Sequence, residues 1–288
     1  RRGDTLALVA PAGPVDAERL QRAKTRLQEA GFRLKTFGDL ERRRGYLAGD
    51  DQARADEFNA ALHDDQSVAI VPVRGGYGMG RILDQLDYET LARRPKLITG
   101  FSDITALHAA VAVRTRLATF HSPNPQDGLA APEGLSDLSA RTFWRAVLAD
   151  SYVDGATGYE MPLSPEELQQ TVTLQGGVAR GTTAGGNLAV LSALEGTRYE
   201  LQAAGTILLI EDIGEQPYRI DRYLCQLRLA GKLQQLAGVL VGQLTDCIPQ
   251  PGKPSLSIDD VLLDYFAPLN IPVLANYPIG HARDNATL

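Results

Sequence analysis

A serine that directly follows a short apolar strand is the first residue whose setting suggests chemistry. Leu97–Thr99 is a predicted strand, Gly100 allows a tight turn, and a helical pattern begins at Ile104. This strand–turn–helix order is the setting of a nucleophile elbow, which would present Ser102 at the carboxyl end of a sheet. The backbone N–H of Asp103 could then stabilise an oxyanion. The segment lacks the second glycine of G-x-S-x-G, so taken alone it favours helix capping by Ser102 or Asp103.

A glycine-rich loop follows the next candidate strand, Val68–Val73. It reads RGGYGMG over residues 74–80, with four glycines in six residues, so its backbone can approach a bound group closely. The spacing fits neither phosphate-binding glycine motif. Gly75 or Gly76 could supply a second oxyanion donor, with Arg74 nearby for a substrate carboxylate. A flexible turn without chemistry explains the loop equally well.

An acidic residue ends the strongly apolar strand Gly205–Ile210. Glu211 is therefore expected at the edge of a sheet where active sites form. A carboxylate at this point can orient a catalytic imidazole and stabilise its charged form. The alternative is capping of the helix that begins near Tyr218, a role that Asp212 and Glu215 suit better.

Two of the four histidines are candidates for a site. His281 lies in a loop after the short strand Pro272–Ala275 and is expected to be exposed. His121 follows another short strand and either lines the same cleft or caps a turn. His63 and His108 lie in helical patterns, and we assign them no chemistry. The histidines are scattered and form no zinc motif, so neither a metal nor another cofactor is expected.

Composition excludes several classes of function. Hydrophobic residues make up 44% and charged residues 22% of the 288, as in a folded globular protein. The net charge of −6 argues against a nucleic-acid partner. No segment approaches the ~20 apolar residues of a membrane-spanning helix, so no membrane partner is expected. The two cysteines are interpreted as reduced residues of a cytoplasmic protein.

Strands and helices alternate along the first half, which predicts a mostly parallel sheet with helices on both faces. The stretch at 149–170 loses this periodicity and is expected to link a domain at 1–148 to a second domain at 171–288. The predicted elements before the linker are strands at Thr5–Ala10 and Phe32–Phe37 and helices after Asp16, at Asp51–Leu62 and at Ile104–Arg114. Those after it are helices at Asn187–Leu194, Tyr218–Ala230 and Ile258–Phe266 and a strand at Leu236–Leu244.

The candidate segments coincide, in order, with motifs of one family. The sequence resembles the LD-carboxypeptidases, or murein tetrapeptide carboxypeptidases, and the related microcin C self-immunity peptidases. The matching blocks are APAGP at 10–14, RGGYG at 74–78, GFSD at 100–103, GGNL at 185–188, IEDIGEQPYRIDR at 210–222 and GH at 280–281. The sequence departs from the family pattern at His121-Ser122-Pro123, where His-Gly-Pro is expected, and at Thr182-Thr183-Ala184, where some relatives carry an aromatic residue.

The resemblance implies a serine peptidase with Ser102 as nucleophile, His281 as base and Glu211 as its partner. The oxyanion hole would comprise the amides of Asp103 and the glycine loop. Residues expected to contact substrate are Arg74, Tyr77, His121, Asn187 and Arg222. The implied fold is α/β, with a flavodoxin-like N-terminal domain and a smaller swivelling β/β/α C-terminal domain, and with the active site at the domain interface.

The implied reaction is release of terminal D-alanine from murein tetrapeptides during peptidoglycan recycling. The implied partner is a small muropeptide, and members of the family are commonly homodimers. Two alternatives remain open. One is an immunity-type peptidase that hydrolyses a toxic aminoacyl-nucleotide conjugate, and the other is a non-catalytic peptide- or sugar-binding module on the same scaffold.

Overall fold

The computed structural model describes residues 1–148, 161 and 163–288. The chain divides into two compact units, one formed by Arg1–Pro162 with Ala286–Leu288 and the other by Leu163–Asn285. Most of the predicted linker, at 149–160 and 162, lies outside the described residues. The rest of it includes a short helix, α6, at Pro165–Gln169, which begins with a capping box at Ser164.

The first unit is built on a five-stranded sheet in which every described pairing is parallel. The strand order β2-β1-β3-β4-β5 is that of flavodoxin-like folds, so the predicted parallel α/β architecture is confirmed. Because the strands run in one direction, their carboxyl ends share one edge of the sheet. The strands are β1 Thr5–Val9, β2 Arg33–Thr36, β3 Ser67–Pro72, β4 Leu97–Gly100 and β5 Phe120–His121.

Most α-helices of the first unit begin at an aspartate or serine whose side chain caps the helix. Asp16 accepts a hydrogen bond from Arg19 N at the start of the first helix, which it caps. That helix buries Leu20 and Leu27 in the apolar cluster that it shares with β1 and β3. Each such side chain contributes about 1.5–3 kcal/mol relative to an exposed one. The helices are α1 Ala17–Glu29, α2 Asp51–His63, α3 Tyr88–Arg93, α4 Thr105–Thr115 and α5 Asp137–Val147.

The second unit is a five-stranded sheet of order β6-β10-β9-β8-β7, in which only β6 runs antiparallel to its neighbour. The strands are β6 Val172–Gln175, β7 Thr183–Asn187, β8 Ile207–Ile213, β9 Gly238–Thr245 and β10 Val273–Ala275. Three helices accompany α6 in this unit, α7 Leu188–Leu194, α8 Pro217–Leu229 and α9 Ile258–Phe266. Within the described ranges, no helix of either unit is long and apolar enough to cross a membrane.

The last three residues belong to the first unit although they follow the second in sequence. The backbones of Leu288 and His121 exchange hydrogen bonds at 2.9 and 3.0 Å. Thr287 N donates to Thr142 Oγ1 at 3.0 Å. The chain therefore returns to the β5 edge of the first sheet, beside the strand that carries His121.

The core of the second unit yields a stability prediction on α9. Phe266 is 1% exposed, whereas Leu263 on the same helix is 42% exposed. Phe266→Ala should lower the free energy of unfolding by about 3–5 kcal/mol, because it leaves a cavity in a closed core. Leu263→Ala should cost about 1 kcal/mol or less. Urea denaturation monitored by circular dichroism measures the free energy of unfolding of each variant. Equal losses of stability in the two variants would contradict this packing.

Candidate active site

Ser102 lies at a strained turn between β4 and α4. Its φ is +63°, in the left-handed region that residues with a side chain rarely occupy. Holding such a backbone costs of order 1–3 kcal/mol, and strain of this kind concentrates at functional sites. A single turn of 3-10 helix at Ser102–Ile104 leads directly into α4, and Ser102 is half-buried. This geometry is that of a nucleophile elbow.

Helix capping does not explain this segment. An N-cap residue has an extended backbone, which the positive φ of Ser102 precludes. Neither the 3-10 turn nor α4 receives a side-chain capping hydrogen bond. The carboxylate of Asp103 instead accepts a hydrogen bond from Met79 N at 2.7 Å, in the glycine-rich loop. The capping interpretation is therefore wrong, for both residues.

Three buried side chains that sequence reasoning missed hold the elbow in place. Ser122 Oγ accepts from Gly100 N at 3.1 Å, and Asn124 Oδ1 accepts from Phe101 N at 3.3 Å. His108 Nε2 donates to Gly100 O at 2.8 Å. Burial lowers the pKa of His108 to about 4, so the imidazole is neutral at neutral pH. For Ser122 and Asn124 the sequence signal was the run of polar residues and prolines after β5, whereas His108 lies in α4.

The glycine-rich loop lies directly against the serine. A Cβ added at Gly75 would be 2.9 Å from Ser102 Cβ, so only glycine allows this close approach. Among the described residues, the N–H groups of Gly75, Gly76 and Asp103 donate to no protein acceptor. Unsatisfied amides beside a strained serine are what an oxyanion hole requires.

The other residues of the first unit that were predicted to contact substrate differ in their exposure to solvent. Arg74 donates from its guanidinium to the carbonyl oxygen of Pro14 and so braces its own loop. Tyr77 is exposed and packs edge-on against exposed Tyr46, with ring centroids 5.6 Å apart. His121 is buried and lies edge-on to Phe101 at 5.9 Å, so it packs behind the elbow.

Glu211 and His281 form a hydrogen-bonded pair in the second unit. His281 Nδ1 lies 2.6 Å from Glu211 Oε2, and Glu211 is fully buried. Because a carboxylate oxygen accepts, the proton lies on Nδ1 and Nε2 is the nitrogen able to take up another. The prediction that His281 is exposed is wrong, since its side chain is only 15% exposed. The loop carrying it is tied to β9 by Gln243 N, which donates to Ile279 O at 2.9 Å.

A β-bulge aims Glu211 at the histidine. The register between β8 and β9 shifts between Ile210 and Asp212, which leaves one extra residue on β9 opposite Glu211. Gly280 packs against the same carboxylate, where an added Cβ would lie 2.9 Å from Glu211 Oε2. Gly280 also has a φ of +123°, so a side chain here is excluded by both contact and conformation.

Asp212 does not cap the helix near Tyr218, contrary to the alternative considered for this segment. Its carboxylate accepts from Asn187 Nδ2 and from Ala189 N, both at 2.9 Å, and so fixes the start of α7. Burial raises its pKa to about 6. Asn187 Oδ1 in turn accepts from Val190 N at 3.1 Å, so this predicted substrate contact is also an N-cap. Helix α8 begins without a side-chain cap.

Arg222 lies over the ring of Tyr218, with its guanidinium 5.2 Å from the centroid. Two acidic residues near Arg222 in the sequence pair with other side chains. Glu215 interacts with Arg219 at 3.3 Å, and Asp221 accepts from a tyrosine on α9 at 2.6 Å. Arg222 is exposed and is therefore accessible to an anionic ligand.

Two family models match the chain. They describe the LD-carboxypeptidase N-terminal domain, over residues 6–122, and the LD-carboxypeptidase C-terminal domain, over residues 180–288. The sequence is 38% identical to a probable murein peptide carboxypeptidase of Bacillus subtilis, over 97% of this chain and 84% of that protein. It is 33% identical to the murein tetrapeptide carboxypeptidase of Pseudomonas aeruginosa, over 97% of this chain and 89% of that protein.

A solved structure has the same fold over the whole chain. It is the microcin C7 self-immunity protein MccF in complex with aspartyl sulfamoyl adenosine, with a TM-score of 0.86 and 24% identity. The match covers 100% of this chain and 91% of that one. Together with relatives above 30% identity along nearly the full length, these matches show that the chain belongs to the LD-carboxypeptidase family of serine-type peptidases.

Proposed function

We propose that this protein is an LD-carboxypeptidase that releases terminal D-alanine from murein tetrapeptides, in peptidoglycan recycling. The observation that carries the proposal is the left-handed backbone of Ser102 beside unsatisfied amides. The buried Glu211–His281 pair supplies the base that such a serine needs. Relatives named murein peptide and murein tetrapeptide carboxypeptidase support the substrate class.

The first step is attack by Ser102 Oγ on the carbonyl carbon of the L-to-D peptide bond. His281 Nε2 takes the hydroxyl proton as the new C–O bond forms. Glu211 holds Nδ1–H and stabilises the imidazolium by its negative charge. The carbonyl oxygen becomes an oxyanion, which the N–H groups of Asp103 and of Gly75 or Gly76 stabilise.

The second step breaks the C–N bond. The imidazolium returns its proton to the leaving nitrogen, so D-alanine departs as an amine and the remaining peptide stays esterified to Ser102. A water molecule then attacks the ester while His281 accepts its proton, and the imidazolium returns that proton to Ser102 Oγ as the C–O bond to the serine breaks. The products are the shortened peptide and the free serine, so the enzyme is regenerated without a cofactor.

The free carboxylate of the terminal D-alanine needs a cationic partner. Arg222 is the better candidate, because it is exposed and its acidic neighbours are paired elsewhere. Arg74 is a second candidate but already braces the loop through Pro14 O. Tyr77 is exposed near the oxyanion donors and can contact the peptide.

Replacing the nucleophile tests the proposal. Ser102→Ala should lower kcat on murein tetrapeptide by about 10⁴–10⁶-fold, because no other group can form the acyl intermediate. Mass detection of released D-alanine measures it. Ser257→Ala is the matched control, since Ser257 caps α9 through Asp260 N and lies outside the proposed site. It should lower stability by about 1 kcal/mol with unchanged kcat. Full activity of Ser102→Ala would exclude the proposed nucleophile.

The partner of the base is tested by Glu211→Gln. This change keeps the size of the side chain but removes the charge that stabilises the imidazolium, so kcat should fall by about 10⁴-fold. Glu200→Gln serves as the control, because Glu200 pairs with Lys232 at 2.9 Å and has no part in the proposed site, so this change should leave kcat unchanged. Retention of wild-type kcat by Glu211→Gln would remove Glu211 from the mechanism.

An aminoacyl-nucleotide conjugate is the second candidate substrate. The exposed Tyr46–Tyr77 pair favours it, because aromatic rings can stack on a nucleobase. The structural relative MccF was solved with aspartyl sulfamoyl adenosine. Comparing kcat/KM for a murein tetrapeptide and for this conjugate decides between them. A binding module without catalysis is less favoured, because it has no use for a strained serine or a buried Glu–His pair.

We further propose that the enzyme works in the cytoplasm as a homodimer. Its two cysteines are free thiols, as in proteins of reducing compartments. The dimer rests on the family resemblance alone. Light scattering of the purified protein measures its mass in solution against the 31.1 kDa of one chain.

A further inference from the structure

A buried carboxyl group lies immediately beside the proposed nucleophile. The side chain of Asp103 is directed toward the glycine-rich loop, where it accepts from Met79 N at 2.7 Å and from Gly78 N. Asp103 is almost fully buried. The mechanism proposed above uses only its backbone N–H and leaves this side chain without a role.

A buried guanidinium holds the same stretch of loop from the other side. Arg54, on α2, is fully buried and donates from Nη1 to Gly78 O at 2.8 Å and to the carbonyl oxygen of Pro11. Its Nη2 donates to Asp51 Oδ1 at 2.6 Å, and Arg81 binds both oxygens of that carboxylate. The N–H and the C=O of Gly78 are therefore held by opposite charges.

These contacts fix where the oxyanion donors lie. The loop segment that begins at Gly75 packs on Ser102, and the segment that ends at Met79 is hydrogen-bonded to the residue after Ser102. We propose that the Asp103 carboxylate is a positioning residue that, with Arg54, sets the Gly75 and Gly76 amides against the nucleophile. One residue would then place both halves of the oxyanion hole, one through its N–H and the other through its side chain. This inference rests on the proposed function.

The charge on Asp103 varies within the range of pH in which enzymes are assayed. Burial raises its pKa to about 6, against the lowering effect of the amide hydrogen bonds and of Arg54. The charged groups on the facing elements are Arg54 and, beyond it, Asp51 and Arg81. His108, on the helix that follows Asp103, stays neutral because burial lowers its pKa to about 4.

Protonation of Asp103 should change activity and folding stability in different ways. Because its pKa is raised on folding, Asp103 takes up a proton in the folded protein at a higher pH than in the unfolded chain. Its protonation therefore does not destabilise the fold as the pH falls through about 6. It does remove the negative charge that holds the loop amides. Activity should consequently fall in a range where this group causes no loss of folding stability.

The test is Asp103→Asn, which keeps the shape of the side chain and removes its charge. We expect kcat on murein tetrapeptide to fall by about 10²–10³-fold, as for loss of one oxyanion donor, with KM changed less than about threefold. Between about pH 5 and 6, log kcat/KM should rise more steeply with pH in the wild type than in Asp103→Asn, because only the wild type releases a proton from residue 103 in this range.

Asp87→Asn is the matched control, because Asp87 also accepts a backbone amide, Thr90 N, but at the start of α3. It should keep the wild-type kcat and the steeper pH dependence of the wild type. If Asp103→Asn does not fold, Arg54→Lys is used instead, because it removes the guanidinium that donates to Gly78 O. The same criteria for kcat and KM then apply. Folded variants with wild-type kcat, or with a raised KM alone, would overturn the positioning role.

The results for Asp103→Asn and Ser102→Ala test the positioning role and the proposed function separately. If Ser102→Ala is inactive while folded Asp103→Asn keeps the wild-type kcat and pH dependence, the positioning role fails and the proposed function stands. If Ser102→Ala is fully active, the proposed function fails irrespective of the result at Asp103.

Discussion

The left-handed backbone at Ser102 is the constraint on which the architecture of the first unit's site depends. A residue with a side chain adopts φ of +63° only where its surroundings impose it. Here the preceding strand end is held by His108, Ser122 and Asn124, and the following residue is bound to the glycine-rich loop. The strain is thus balanced by buried hydrogen bonds that hold the backbone before the serine and the side chain of the residue after it.

In the second unit the main constraint is the burial of the Glu211 carboxylate. Glu211 is removed from water, which is costly for a charged group unless it is paired. Its 2.6 Å hydrogen bond to His281 provides the pairing, and the β-bulge and Gly280 provide the space. In both units, residues at or just after the carboxyl ends of parallel strands carry the site, and glycines allow the chain to approach them closely. This division of roles is common where sheets carry active sites.

The periodic elements were predictable because their patterns are local. Helix α9 was expected at the residues where it occurs, and the parallel sheet followed from alternating strands and helices. The positive φ of Ser102 and the burial of His281 were not predictable, because both depend on contacts distant in sequence. His108 was set aside as a helical residue for the same reason, since its partner Gly100 is identified only by the fold. The pairing of Glu211 with His281 was expected from family resemblance, not from spacing.

The most direct test of the central claim is where a fluorophosphonate attaches, since the reagent phosphonylates only activated serines. The protein is labelled, digested and mapped by mass spectrometry, in the wild type and in His281→Ala. The account predicts one adduct, on Ser102, with labelling slowed by on the order of 10³-fold or more without His281. Labelling of a different serine, or equal rates in the two proteins, would contradict it.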